Sequence, residues 1–148
     1  MFSEFLQLFF LTLVPWIELR GSIPYGIALG LNPILVLLFC IVVNILLLLP
    51  LFFFLDHLFP FIRHWAIIDK IVMRVQAKSE KYVDRWGFVG LALFVGVPLP
   101  GSGVYSGALA AYLLGIPKKK AFQAIVLGVA IAGVVVFLGS LLIKSTLL

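Results

Sequence analysis

The chain has 148 residues, of which 64% are apolar and 11% charged. Ordinary soluble domains carry roughly 25% charge and about 45–50% apolar residues, so a disordered chain is excluded, and too few polar side chains exist to cover a soluble globule. Eleven Lys and Arg against six acids give a formal charge of +5; because the basic residues cluster beside apolar runs, they point to anionic lipid headgroups and not to nucleic acid.

The composition describes one domain, 1–148, of an all-α, multi-pass integral membrane protein. The N-terminal run is not read as a secretory signal. Glu4 lies in it, no basic residue precedes Arg20, and no small-x-small site follows. The single Cys40 cannot form an intrachain disulfide.

In chain order, the first apolar stretch, 5–31, is interrupted at Pro15-Trp16-Ile17-Glu18-Leu19-Arg20-Gly21-Ser22-Ile23-Pro24. An uncharged run of 23 residues follows at 33–55, with Asn32 as its cap, Pro33 in its first turn and Pro50 as an expected kink. A linker, 56–86, holds Phe61, Trp65, Ile68, Val72, Val75, Ser79, Tyr82 and Trp86 at helical spacing. Beside them Lys70, Arg74, Lys78, Lys81 and Arg85 form a basic stripe. An apolar face next to a basic face predicts an amphipathic helix lying in the membrane interface.

The second broken stretch, 87–116, is interrupted at Pro98-Leu99-Pro100-Gly101-Ser102-Gly103, leaving arms of 11 and 13 residues. A 13-residue helix rises about 20 Å, too short to cross a bilayer. A second uncharged run of 23 residues, 121–143, completes the order.

Each broken stretch is either one kinked span or a re-entrant hairpin that enters and leaves on one face. The hairpin places Lys118, Lys119 and Lys120 on the same side as the linker, so nine of the eleven basic residues become cytoplasmic, as the positive-inside rule favours. The halves also look duplicated. An offset of 80 pairs Gly21-Ser22-Ile23-Pro24-Tyr25 with Gly101-Ser102-Gly103-Val104-Tyr105, and there are five identities in the eleven positions from 21 to 31. Repeat 1 (about 1–55) and repeat 2 (about 87–148) then form an inverted repeat whose broken segments meet near the midplane.

Glu18 and Arg20 are the sharpest chemical feature. A charge at membrane depth is costly unless paired or hydrated and so marks a functional position. At i and i+2 they diverge on a regular helix; in an irregular tip they can face one cavity. Burial and a nearby guanidinium pull the proton affinity of Glu18 in opposite directions, which suits a proton-coupling group. The second interruption has no ionisable side chain. Its glycines expose backbone amides, a following helix N-terminus favours an anion, and Ser102, Tyr105 and Ser106 add hydroxyls. Gly21, Ser22, Pro24, Pro98, Pro100, Gly101, Ser102, Gly103 and Tyr105 are the candidate path-lining residues. Asn44 is expected to bond between helices, and Ala124, Gly128 and Ala132 to make a close-packing stripe. His57, His64 and Asp56 are read as surface residues, with no metal or cofactor site. No triad or paired-carboxylate constellation appears in the broken segments, so an enzyme is not expected.

Glu18-Leu19-Arg20-Gly21-Ser22-Ile23-Pro24-Tyr25-Gly26, followed by Pro98-Leu99-Pro100-Gly101-Ser102-Gly103, resembles the small multidrug export protein family, itself distantly similar to the DedA and VTT membrane proteins. The resemblance implies two re-entrant hairpins packed tip to tip, each followed by a spanning helix, and proton-dependent transport. It implies an acidic residue in the first hairpin, which Glu18 matches. The DedA pattern also has arginines in the second hairpin, and this chain has none there.

The expected protein is therefore a proton-coupled transporter of the prokaryotic inner membrane, acting on a small amphipathic or lipid substrate as a homodimer or larger. A translocase of an anionic lipid and a non-transporting scaffold or accessory subunit are the alternatives.

Overall fold

A computed structural model describes residues 2–147, and among them there are six helices and no strand. They are α1 (Phe2–Leu13), α2 (Glu18–Ala28), α3 (Pro33–Arg63), α4 (Ala66–Gly96), α5 (Val104–Leu114) and α6 (Lys118–Leu147). Helix α3 starts as its sequence predicts. The Asn32 side chain accepts the amides of Ile34 and Leu35 at 3.0 and 3.3 Å, and Pro33, which has no amide to satisfy, occupies the first turn.

The helix does not end at 55. It continues to Arg63, through Pro50 and Pro60. Asp56 and His57 end the apolar run but not the helix, and each proline removes only one backbone donor. The chain then turns at His64 and Trp65, where Arg63 Nε donates to Asp69 at 2.7 Å.

The expected separate linker helix over 56–86 is corrected. Its first part belongs to α3 and the remainder is continuous with the first arm of the second broken stretch, because Gly87 is tolerated within a helix. Phe61 therefore lies on a different helix from Ile68 and Val72. Along α4, Val72, Val83, Leu91 and Val95 are buried, whereas Lys70, Arg74, Lys78, Lys81 and Arg85 stay exposed.

Both broken stretches fold back on themselves. In the first, Tyr25 donates to Gln7 Oε1 at 2.9 Å, and a Cβ on Gly26 would meet Leu8 of α1 at 3.2 Å. In the second, a Cβ on Gly87 would lie 3.7 Å from Ile116, so the two ends are neighbours. Lys120 Nζ then donates to Val83 O at 3.1 Å, which sets the Lys118–Lys120 cluster beside the basic part of α4. The long helices run antiparallel: Gly133 faces Leu37 and Ile41, while Lys118 at the start of α6 pairs with Asp56 late in α3. The bases of the two hairpins thus lie at opposite ends of the molecule.

Two pairs of helices are similar in length and order, in a different register from the sequence match. Helices α2 and α5 each have 11 residues, and α3 and α6 have 31 and 30. Their starts, at 18 and 104 and at 33 and 118, lie 86 and 85 residues apart, against the 80 of the identity match. The break before α5 is longer than that before α2, so Gly21-Ser22-Ile23 is helical while Gly101-Ser102-Gly103 is loop.

Helices α3 and α6 are each long and apolar enough to cross a membrane, with mean hydropathy of 3.1 and 2.8 in their best windows. Only 28% and 33% of those windows are buried, so most of their apolar surface faces outward, unlike the core helix of a soluble protein. Where α6 does pack, the stripe of Ala124, Gly128 and Ala132 allows close approach. A Cβ on Gly128 would fall 2.7 Å from both Ala92 O and the Val95 side chain. Gly128→Ala should therefore destabilise the protein by about 1–3 kcal/mol through overpacking. Gly139→Ala, which meets nothing, should be neutral or gain up to about 1 kcal/mol of helix propensity. Thermal unfolding of both variants in detergent measures this, and equal melting temperatures would refute the close contact.

Candidate functional site

The two interruptions converge. Residues 14–17 separate α1 from α2, and residues 97–103 separate α4 from α5. Glu18, the first residue of α2, has φ of +46°, in the left-handed region that non-glycine residues enter at a cost of roughly 1–2 kcal/mol. This backbone geometry breaks the regular helical divergence of positions i and i+2 and lets Arg20 Nη1 donate to Glu18 Oε2 at 3.3 Å. The carboxylate is buried, with Glu18 only 1% exposed, so the pair is shielded from solvent.

The surroundings hold the strained residue in place. Glu18 N donates to Val14 O at 3.1 Å, and the Ser22 hydroxyl donates to Glu18 O at 2.6 Å. Across the gap, the Val104 amide donates to Glu18 Oε2 at 3.2 Å. Gly103, at the cap position of α5, has no side chain to offer. The carboxylate of one hairpin thus caps the first helical turn of the other, where the helix dipole favours negative charge. The anion that the second interruption was expected to favour is the protein's own Glu18. A Cβ on Gly103 would overlap that carboxylate, so glycine is required there by the partner hairpin.

Arg20 fastens the same junction. Its Nη2 donates to Val95 O at 3.2 Å, Ser102 O at 2.9 Å and Ser102 Oγ at 3.1 Å. The Ser102 hydroxyl in turn donates to Val97 O at 2.6 Å. Glu18 Oε1 and Arg20 Nε, both buried, have no hydrogen-bond partner among the described residues. Tyr105 adds a further tie, donating to Leu13 O at 2.6 Å at the end of α1.

Behind Glu18 lies a buried hydroxyl pair, Thr12 and Ser22, with oxygens 2.8 Å apart. Thr12 is absent from the sequence candidates; its one signal is a hydroxyl inside an otherwise apolar helix. Of the sequence candidates, Glu18, Arg20, Ser102 and Gly103 meet directly, with Ser22 and Tyr105 bracing them. Gly21, Pro24 and Pro98 are half-buried outside this polar cluster, and Pro100 and Gly101 are exposed. Lys70, Arg74, Lys78, Lys81 and Arg85 lie along α4, apart from these contacts. Asn44 does not make the expected interhelical bond. It donates to Cys40 O of its own helix at 2.9 Å, and its Oδ1 is buried without a partner among the described residues.

Two long, outward-facing apolar helices suggest a membrane protein. Residues 18–135 match the model of the family described as "Putative small multi-drug export protein", and the chain belongs to that family. The match begins at Glu18, just after the first interruption, and takes in the second. No curated protein and no solved structure matches the chain. The family description suggests a transporter, and the distant DedA and VTT similarity has no counterpart among these matches.

The geometry predicts strong coupling between positions 18 and 103. Gly103→Ala alone should lower stability by about 1–3 kcal/mol, as overpacking does. In a Glu18→Ala background the same change should cost markedly less, giving a coupling of at least about 1 kcal/mol in a double-mutant cycle. Denaturation in detergent measures all four proteins; additive losses would disprove the contact.

Proposed function

We propose that this protein is a small proton-coupled transporter of a prokaryotic inner membrane, in which Glu18 takes up the coupling proton. The observation that carries this reading is the Glu18 carboxylate, buried and shared between Arg20 of its own hairpin and the Val104 amide of the other. The family description, which names multi-drug export, supports an amphipathic small molecule as the substrate. The antiparallel long helices and fold-back stretches support re-entrant hairpins in an inverted repeat, with tips meeting near the midplane. The basic residues of α4 and the Lys118–Lys120 cluster share one end, which we assign to the cytoplasm. Two long apolar helices are a thin wall, so the working unit is a homodimer or larger.

In this reading, ionised Glu18 holds the tips together. It accepts the Val104 amide, sits on the positive end of α5 and balances Arg20. Protonation removes the charge that the helix dipole and guanidinium both favour, and so loosens the link between hairpins. Arg20 then lacks its counter-charge, and its bonds to Val95 and Ser102 are the remaining link that must give way as the tips part. The pathway opens at the parting of the tips, and loss of the proton restores the cap.

Glu18→Gln keeps the size but cannot ionise. It should insert normally and abolish pH-gradient-driven transport of a fluorescent amphipathic cation in liposomes. Full transport would remove Glu18 from proton coupling. Arg20→Ala should lose about 3 kcal/mol or more of stability by leaving Glu18 buried without its counter-charge. Glu18→Gln combined with Arg20→Gln should recover much of that loss without recovering transport.

Orientation is tested by single cysteines at Lys78 and Lys119 in a Cys40-free background, labelled from each side of the membrane. Both should label from the cytoplasm. Labelling from opposite sides would break the second hairpin assignment.

A further inference from the structure

We infer that the groove between α3 and α6, at the end carrying the basic residues, seats one anionic phospholipid as a resident ligand rather than as cargo. This rests on the membrane assignment above but not on proton coupling at Glu18.

The groove has a volume of about 830 Å³ and an apolar wall of Leu49, Phe52, Phe53 and Phe122. Phe53 is 67% exposed, a large ring touched on one side by the His57 imidazole and otherwise open. The wall alone would fit any lipid chain. The rim is selective. Lys118 and Lys119 stand where the groove meets the first turn of α6, and that turn contains no acid.

Asp56 is the acid at this rim, and it is committed: it takes both the Lys118 ammonium and the Tyr112 hydroxyl. Lys119 has no partner among the described residues and is exposed. Three successive lysines at a helix N-terminus also oppose the helix dipole. An anionic headgroup offsets that repulsion, and its acyl chain covers the exposed Phe53 ring beside it. A zwitterionic headgroup would bring a cation against Lys119, so the charge complementarity specifies a net-negative phospholipid. Pro117 ends the preceding hairpin, so the seated lipid stands at the junction between α5 and α6.

The test uses full-length protein purified in mild detergent and titrated with phosphatidylglycerol or phosphatidylcholine, with retained lipid counted by native mass spectrometry. Wild type should hold one phosphatidylglycerol per chain in preference to phosphatidylcholine. Lys119→Gln should weaken phosphatidylglycerol binding about fivefold, the effect of one basic residue near an anionic surface. Phe53→Ala should weaken both lipids alike. Lys144→Gln, near the other end of α6, should change nothing. Equal retention of the two lipids, or equal losses from Lys119→Gln and Lys144→Gln, would overturn the site while leaving the transporter reading intact. Release of the protein from cell membranes by alkaline carbonate would overturn this site and the membrane assignment together.

Discussion

A single carboxylate holds the two halves of this protein in register. Glu18 joins segments that are 86 positions apart in sequence by accepting the amide that opens α5. Nearly every unusual local feature answers to that bond. The left-handed backbone at Glu18 aims the carboxylate across the gap, Gly103 leaves room for it, and Arg20 balances it while gripping the facing loop. Burial makes the arrangement interdependent, because removing any one partner leaves a polar group in an apolar setting without compensation.

The same bond explains why irregular backbone can exist at the centre of so apolar a chain. Free amides and carbonyls in lipid must be satisfied internally. Here the carbonyls of Val95, in the last turn of α4, and of Ser102, in the loop, are taken by Arg20, and the Val104 amide by Glu18. The charged pair is therefore also the hydrogen-bonding solution for two broken helices.

Much of this was legible in the residues. The Asn32-Pro33 start, the outward apolar helices, both interruptions and the Glu18–Arg20 pair all follow from cap chemistry, hydropathy and misplaced charge. What was not legible has physical causes. Polar residues at 56 and 57 end an apolar run, but a helix can continue past that point. Gly87 breaks nothing when neighbouring residues favour helix, so α4 ran on where a boundary was expected. The 80-residue identity match does not coincide with the spacing of the helix starts, 85–86 residues, because the two breaks differ in length. Most of all, the roles of Gly103 and Thr12 depend on a neighbour from another hairpin or helix, and no local periodicity encodes that.

The continuity of α4 has a mechanical meaning. Its 31 residues make a rod of about 46 Å, with the basic stripe along its outer portion and the Val95 carbonyl, gripped by Arg20, near its far end. A helix without an internal hinge transmits displacement instead of absorbing it. Displacement of the basic portion therefore levers the Arg20 anchorage where the two interruptions meet.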